Sequence, residues 1–176
     1  MRKIKTNKKL QKKAPMKDST KILLYSLAGL VLLFVVILLV IEGMSSKIII
    51  KNNSDVKLEY VKAYFVDIEG PVSDDVKLFE NLDRGDNSVL PLEKIDLAYR
   101  QANLEVRFKF EGHDELFVDA GYFNEIFSGR INIGFEDIDN ERILLKVKAS
   151  TGVIPSPHID CDEEYVFNLA TGEEEE

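Results

Sequence analysis

The sequence predicts a single N-terminal transmembrane α-helix followed by an all-β extracytoplasmic domain, an antiparallel sandwich of immunoglobulin- or fibronectin-like architecture. Three observations carry that prediction. Residues 22–41, ILLYSLAGLVLLFVVILLVI, run for twenty residues without a charge or a proline. The chain before them holds nine Lys/Arg against one acid, Asp18. The chain after them is acidic and divides into short alternating apolar runs separated by turn formers. The expected organisation is a basic arm at 1–21, a span at 22–41, a linker at 42–46, a β domain at 47–170 and an acidic tail at 171–176.

A helix of twenty residues is about 30 Å long, the hydrocarbon thickness of a bilayer. Within a bilayer only a helix satisfies its own backbone groups in one segment. A helix apolar on every side could instead be a core helix, but that needs a large protein around it, and the rest of this chain is too small. Cationic flanks stay on the cytoplasmic side. The net +8 of the arm, with Glu42 on the other flank, therefore places the N-terminus inside and the β domain outside. Gly43-Met44-Ser45 resembles a signal-peptidase site, but a signal h-region runs only about 7–15 residues, so an uncleaved signal-anchor is expected. No cysteine near the span supports a lipoprotein anchor, and Glu42 lies at the wrong end of the run for a pilin.

Residues 42–176 hold fourteen Lys/Arg against thirty Asp/Glu, net −16. Such a surface repels polyanions, so no nucleic acid is expected as a partner. It suits cationic partners: other envelope or membrane proteins with a basic face. Cys161 is the only cysteine. No intramolecular disulfide can form, and the domain must be held by its core, unlike small stapled ectodomains.

Along the domain, Lys47–Lys51 is a β-branched strand closed by the turn formers Asn52-Asn53-Ser54-Asp55. Lys57–Asp67 is a second strand. Leu58 and Tyr60 fall on one parity and Val61, Ala63 and Phe65 on the other, which predicts either a bulge near Tyr60-Val61 or a strand buried on both sides. Glu69-Gly70-Pro71 ends it. Val76–Leu82 is a weaker strand before the turn Asp83–Asn87, and Ile95, Leu97 and Tyr99 alternate after Pro91. Asn103–Phe110 is the clearest strand: Leu104, Val106, Phe108 and Phe110 alternate with Glu105, Arg107 and Lys109, giving one buried and one wet face. Glu111–Asp114 turns back, and Leu116–Asp119 completes a hairpin. Residues 121–127 read equally as a short helix or an aromatic connection. Ile131, Ile133 and Phe135 mark another strand, and Arg142–Ala149 another after the turn at 139–141. A loop with Gly152, Pro155 and Pro157 leads to a last strand at Tyr165–Leu169, and Glu173–Glu176 reads as a solvated tail. Seven or eight short strands without an amphipathic helix give the sandwich.

Candidate sites are few, and each has a plainer reading. Arg84-Gly85-Asp86 is the tripeptide that integrins read on exposed loops, and Gly with Asp is also ordinary turn chemistry. Asn52-Asn53-Ser54 fits an N-glycosylation acceptor. His158, Asp160, Asp162 and Glu164 would share one face of an extended segment and could hold a hard or transition-metal ion, although their spacing fits no established metal motif. Glu136, Asp137, Asp139 and Glu141 make a second acidic cluster. Both clusters also read as solvated loops. His113, His158, Cys161 and scattered serines are the only raw material for a nucleophilic site, and no catalytic or phosphate-binding motif accompanies them. The expectation is a membrane-anchored interaction or scaffold module without enzymatic activity or cofactor. The competing expectation is a small-ligand, glycan or metal-ion binding domain with its site in the 158–164 loop.

Overall fold

A computed structural model describes residues 17–44, 46–139, 141–151 and 156–175. Most of the basic arm, Ser45 of the cleavage-like tripeptide, Asn140, the Gly152–Pro155 part of the loop and Glu176 lie outside the described residues. The chain divides into two units, residues 1–40 and 41–176.

The first unit contains one helix, α1, Asp18–Met44. It starts four residues before the apolar run because Asp18 puts a carboxylate at the positive end of the helix dipole and pairs with Lys21 at 2.9 Å. The residues from Ile22 to Val40 are exposed on every side, and the helix is long and apolar enough to cross a membrane. The Ser26 hydroxyl is satisfied within the helix: Oγ donates to the Leu23 carbonyl at 2.9 Å.

From Lys47 on, every regular element among the described residues is a strand. One six-stranded sheet contains β1 (Lys47–Asn53), β5 (Asn87–Pro91), β10 (Arg130–Asp137), β11 (Arg142–Ser150), β13 (Asp162–Asn168) and β14 (Glu173–Glu175), in the order β14-β13-β11-β10-β1-β5. The other contains β2 (Leu58–Asp67), β3 (Gly70–Pro71), β4 (Lys77–Leu82), β7 (Ala102–Phe110), β8 (Glu115–Phe123) and β12 (Ile159–Asp160), in the order β12-β8-β7-β2-β3, with β4 also on β2. A two-stranded sheet joins β6 (Ile95–Asp96) to β9 (Ile126–Phe127). Neither large sheet closes into a barrel.

The two large sheets share one core. Ile48 and Ile50 of β1, Ile131, Ile133 and Phe135 of β10, and Ile143, Leu145 and Val147 of β11 bury one side of the first sheet. Leu104, Val106, Phe108 and Phe110 of β7, with Val61, Ala63 and Phe65 of β2, bury the facing side of the second. Rings meet across the gap: Phe108 lies 5.1 Å from Phe135 and 5.2 Å from Phe167. The alternation read for residues 103–110 is therefore the burial alternation of β7.

Several expectations need correction. The slip in β2 falls between Leu58 and Tyr60, one step earlier than expected. It leaves Leu58 inside and turns Tyr60 outward, so those two residues do not share a face. β1 pairs with β10 in parallel, the one departure from antiparallel pairing among the described residues. Residues 121–123 finish β8 and 126–127 form β9, so no helix forms there. Tyr99 continues no strand. It is 97% exposed with φ +67°, because a type of turn at 97–101 that needs left-handed backbone overrides the apolar spacing. The tail is also structured: Glu173–Glu175 pairs with Val166–Asn168 as an edge strand, where charged side chains discourage a further strand from adding.

Cys161 is 4% exposed and packs where the chain crosses from β12 in one sheet to β13 in the other. Gly121 makes room for it. A Cβ on Gly121 would sit 2.4 Å from Cys161 Cβ, and its φ of +69° also disfavours a side chain. Burial pushes the thiol up to about 12. It is a poor nucleophile in that state.

Candidate functional site

The outer face of β2, β7 and β8 carries the densest polar construction in the domain. Register places Arg107 of β7 between Lys62 of β2 and Phe117 of β8. Its guanidinium donates from Nε to Tyr64 Oη at 2.9 Å and to Glu105, and from a terminal nitrogen to Glu115 at 3.1 Å. It also lies over the Phe117 ring, 5.0 Å from the centroid. Tyr64 donates to Glu105, and Tyr60 donates to Glu115. Lys62 approaches Glu115 at 3.7 Å and covers the Tyr60 ring at 4.6 Å. Charge and hydrogen bonding thus hold four long charged side chains and two phenols in one arrangement. Phe117 of β8 and, across β7 and β2 in the same register row, Leu78 of β4 remain exposed on this face at 54% and 45%.

These bonds set protonation. Donation from Tyr60, then from Arg107, holds the Glu115 carboxyl below its ordinary value. The same partner pushes Tyr60 up to about 12. Asp67 is lowered by the Glu69 N–H and by Arg100, and Asp139 by Arg142. Burial, followed by the charge of Glu105, raises Asp119. A lowered carboxyl stabilises the fold above its unfolded value and loses that contribution as pH falls. A raised phenol or thiol stabilises below its unfolded value and loses it as pH rises. Thermal midpoints should therefore fall below about pH 4, where three lowered carboxyls are opposed by Asp119 alone, and again between about pH 9 and 12 through Cys161 and Tyr60. A midpoint that keeps rising past pH 10 would contradict the assignment.

The Arg84-Gly85-Asp86 turn is tied to Asn52. Gly85 takes φ +83°. Its N–H donates to the Asn52 carbonyl at 2.6 Å, and the Asn52 N–H donates to the Asp86 carbonyl at 3.0 Å. Asp86 accepts from the Asp83 N–H at 2.9 Å, and Arg84 pairs with Asp55. Both charged groups of the tripeptide thus have local partners. Asn52, the acceptor residue of the glycosylation pattern, is fully buried. Its Nδ2 donates to the carbonyls of Val56 and Leu82, and its Oδ1 accepts from the N–H and hydroxyl of Ser54. A glycan could not reach it without unfolding the corner.

The 158–164 segment does not converge. His158 lies in the exposed turn before β12, Asp160 is in β12 on the second sheet, and Asp162 and Glu164 are in β13 on the first. Asp162 pairs with Lys148, and Glu164 lies 3.9 Å from Lys146. Lys146 also holds Glu136 at 2.9 Å. In the second acidic cluster Asp137 accepts from the Asp55 N–H at 2.7 Å and Asp139 pairs with Arg142 at 2.6 Å, so its acids serve the turn. Among the described residues no three His, Cys, Asp or Glu side chains group as a metal site. His113 sits in the β7–β8 turn, with Nδ1 2.9 Å from the Leu169 carbonyl. His158 is at the other end of that hairpin, its carbonyl accepting from the Asn124 N–H. A nine-residue strand spans about 30 Å, which keeps the two histidines from acting together.

At one further place sequence reasoning singles out only His158, and for a different site. Ala98, Tyr99, Asn124, Glu125, Ile126 and His158 line an open cleft of about 520 Å³. Its signal was present only as an aromatic residue among turn formers.

No family model matches the chain, and neither a curated protein nor a solved structure matches it.

Proposed function

We propose that the chain is a single-pass envelope protein whose N-terminus is cytoplasmic and whose β domain is an extracytoplasmic interaction or scaffold module within a larger complex. In this reading the two sheets and their shared core are an immunoglobulin- or fibronectin-like sandwich. The observation that carries it is the outer face of β2, β7 and β8. Tyr, Arg and Phe are the residue types that dominate interface energies, and here Tyr60, Tyr64, Arg107 and Phe117 stand together. Their mutual bonds hold the side chains before a partner arrives, which lowers the ordering cost of association.

β8 adds a backbone feature. Among the described residues its far side is paired only at Tyr122 and Phe123, so residues 115–121 have no strand partner there among them. An extended segment of a partner can add to such an edge. With Asp119 and Glu163 near it and a domain charge of −16, that segment is expected to be basic.

Crosslinked membranes bearing the full chain test this. A protein captured by the wild type should be lost with Phe117→Glu, a substitution on an exposed side chain. Its association should slow as salt rises from about 0.1 M to about 1 M, where the Debye length falls to about 3 Å. Capture that ignores both the substitution and the salt sinks the proposal. Orientation needs a separate probe because Cys161 is buried. Ile68 is 98% exposed in the turn between β2 and β3. Ile68→Cys should react with a membrane-impermeant maleimide on intact cells, while the wild type stays unlabelled. Labelling of Ile68→Cys only after lysis would reverse the orientation.

A further inference from the structure

We infer that the cleft between the 97–101 turn and the Asn124–Ile126 connection binds a neutral oligosaccharide, with Tyr99 as its stacking platform. This goes beyond the protein-partner face, since the cleft lies at the Phe123 end of β8, past the Tyr64–Glu105 end of the network.

The backbone gives the first reason. Tyr99 and Gln101 have φ of +67° and +53°, a conformation disfavoured for any residue with a Cβ and rare for a bulky one. The turn so formed displays the Tyr99 ring almost entirely, at 97% exposure. Ordinary folding would instead bury that ring beside Leu97. Backbone outliers of this kind concentrate at binding sites. Arg100, between them, is fixed by its pair with Asp67 at 3.0 Å, which anchors the turn to the end of β2.

The lining gives the second reason. It combines two apolar surfaces, Tyr99 and the half-exposed Ile126, with the polar groups of Asn124, Glu125 and His158. Asn124 Oδ1 is buried without a hydrogen-bond partner among the described residues, which leaves an acceptor there for a ligand hydroxyl. A sugar ring matches this pairing. Its C–H face packs on an aromatic ring, and its edge hydroxyls both donate and accept, as a carboxylate, an amide and an imidazole together require.

Size and charge select within that class. The volume of about 520 Å³ falls in the range of small-molecule sites, roughly 300–1,000 Å³. It is too wide for one lysine or arginine side chain. Among the described residues no Lys or Arg lines it, and Glu125 together with the domain's −16 disfavours acidic glycans. A neutral chain of a few rings remains.

The test uses the full chain in a zwitterionic detergent, because sugar-headed detergents would occupy the cleft. Cello-, malto-, chito- and manno-oligosaccharides are titrated by calorimetry and saturation-transfer NMR, with a uronate oligomer and an oligolysine peptide as comparators. At least one neutral oligosaccharide should bind saturably, with affinity unchanged by salt. Tyr99→Asn removes the ring yet keeps a residue that tolerates left-handed backbone. It and Glu125→Gln should each weaken binding about tenfold or more while the melting temperature holds. No saturable binding across the neutral panel overturns the inference. So does affinity retained in Tyr99→Asn, or a preference for the uronate or the oligolysine.

Discussion

Phe108→Ala should cost about 3–5 kcal/mol of folding stability, the largest loss expected from any single side chain in the β domain. Phe108 is fully buried in the middle of β7 and touches three other rings. Phe110 is its neighbour on the same strand, and Phe135 and Phe167 belong to the facing sheet. Truncation would leave a cavity bounded by both sheets, and sheets hydrogen-bonded along their length cannot collapse to fill it. A loss of that size is a large part of a domain's 5–15 kcal/mol. Arg107→Ala, one position along, removes only partly exposed bonds and should cost about 1 kcal/mol. The comparison is made by chemical denaturation of the two variants. Similar midpoints would mean that the sheets do not meet at Phe108.

The contrast between these neighbours shows what the sequence could disclose. Strict alternation from Leu104 to Phe110 exposed which side of β7 is wet, because period two maps directly onto two faces. The apolar helix was equally legible, since twenty uncharged residues have few alternative uses. Short elements were not. β3, β6, β9 and β12 have two residues each, and two residues carry no period. Pairing partners were also hidden. Nothing local in KIIIKNN announces that β1 runs parallel to a strand eighty residues later, because that contact is decided by the whole sheet.

The wet face of β7 taught a different limit. Glu105, Arg107 and Lys109 read as generic solvated charges. Arg107 becomes the centre of a network only because β2 supplies Tyr60 and Tyr64, and β8 supplies Glu115 and Phe117. Likewise Tyr99 has the spacing of a core residue, and only the backbone at 97–101 shows that it faces out. In the 158–164 segment, spacing suggested one face. The chain instead crosses between sheets at Cys161, and a sheet change breaks any face read along one strand.

Asn52→Ala should cost about 2–4 kcal/mol, far more than loss of a surface asparagine, because the free energy lies in what it leaves unpaired. Asn52 is buried at the end of β1, where four hydrogen bonds satisfy its carboxamide. Alanine would strand the Leu82 carbonyl and the Ser54 N–H away from water, each costing about 1–3 kcal/mol if nothing replaces the bond, while the Val56 carbonyl keeps the Ser54 hydroxyl. It would also loosen the turn at 83–86, which docks on the Asn52 backbone through Gly85 and Asp86. Asn52→Asp separates the two halves of the argument. It keeps the oxygen that accepts from Ser54 but replaces the donor with a charge facing two carbonyls, so it should be at least as damaging as alanine at neutral pH. Protonation of that aspartate at low pH should recover part of the difference, since a neutral carboxyl can donate to one carbonyl. Urea midpoints of the three proteins at neutral and acidic pH decide it. If Asn52→Asp matches the wild type at neutral pH, the carboxamide is not the pin of this corner.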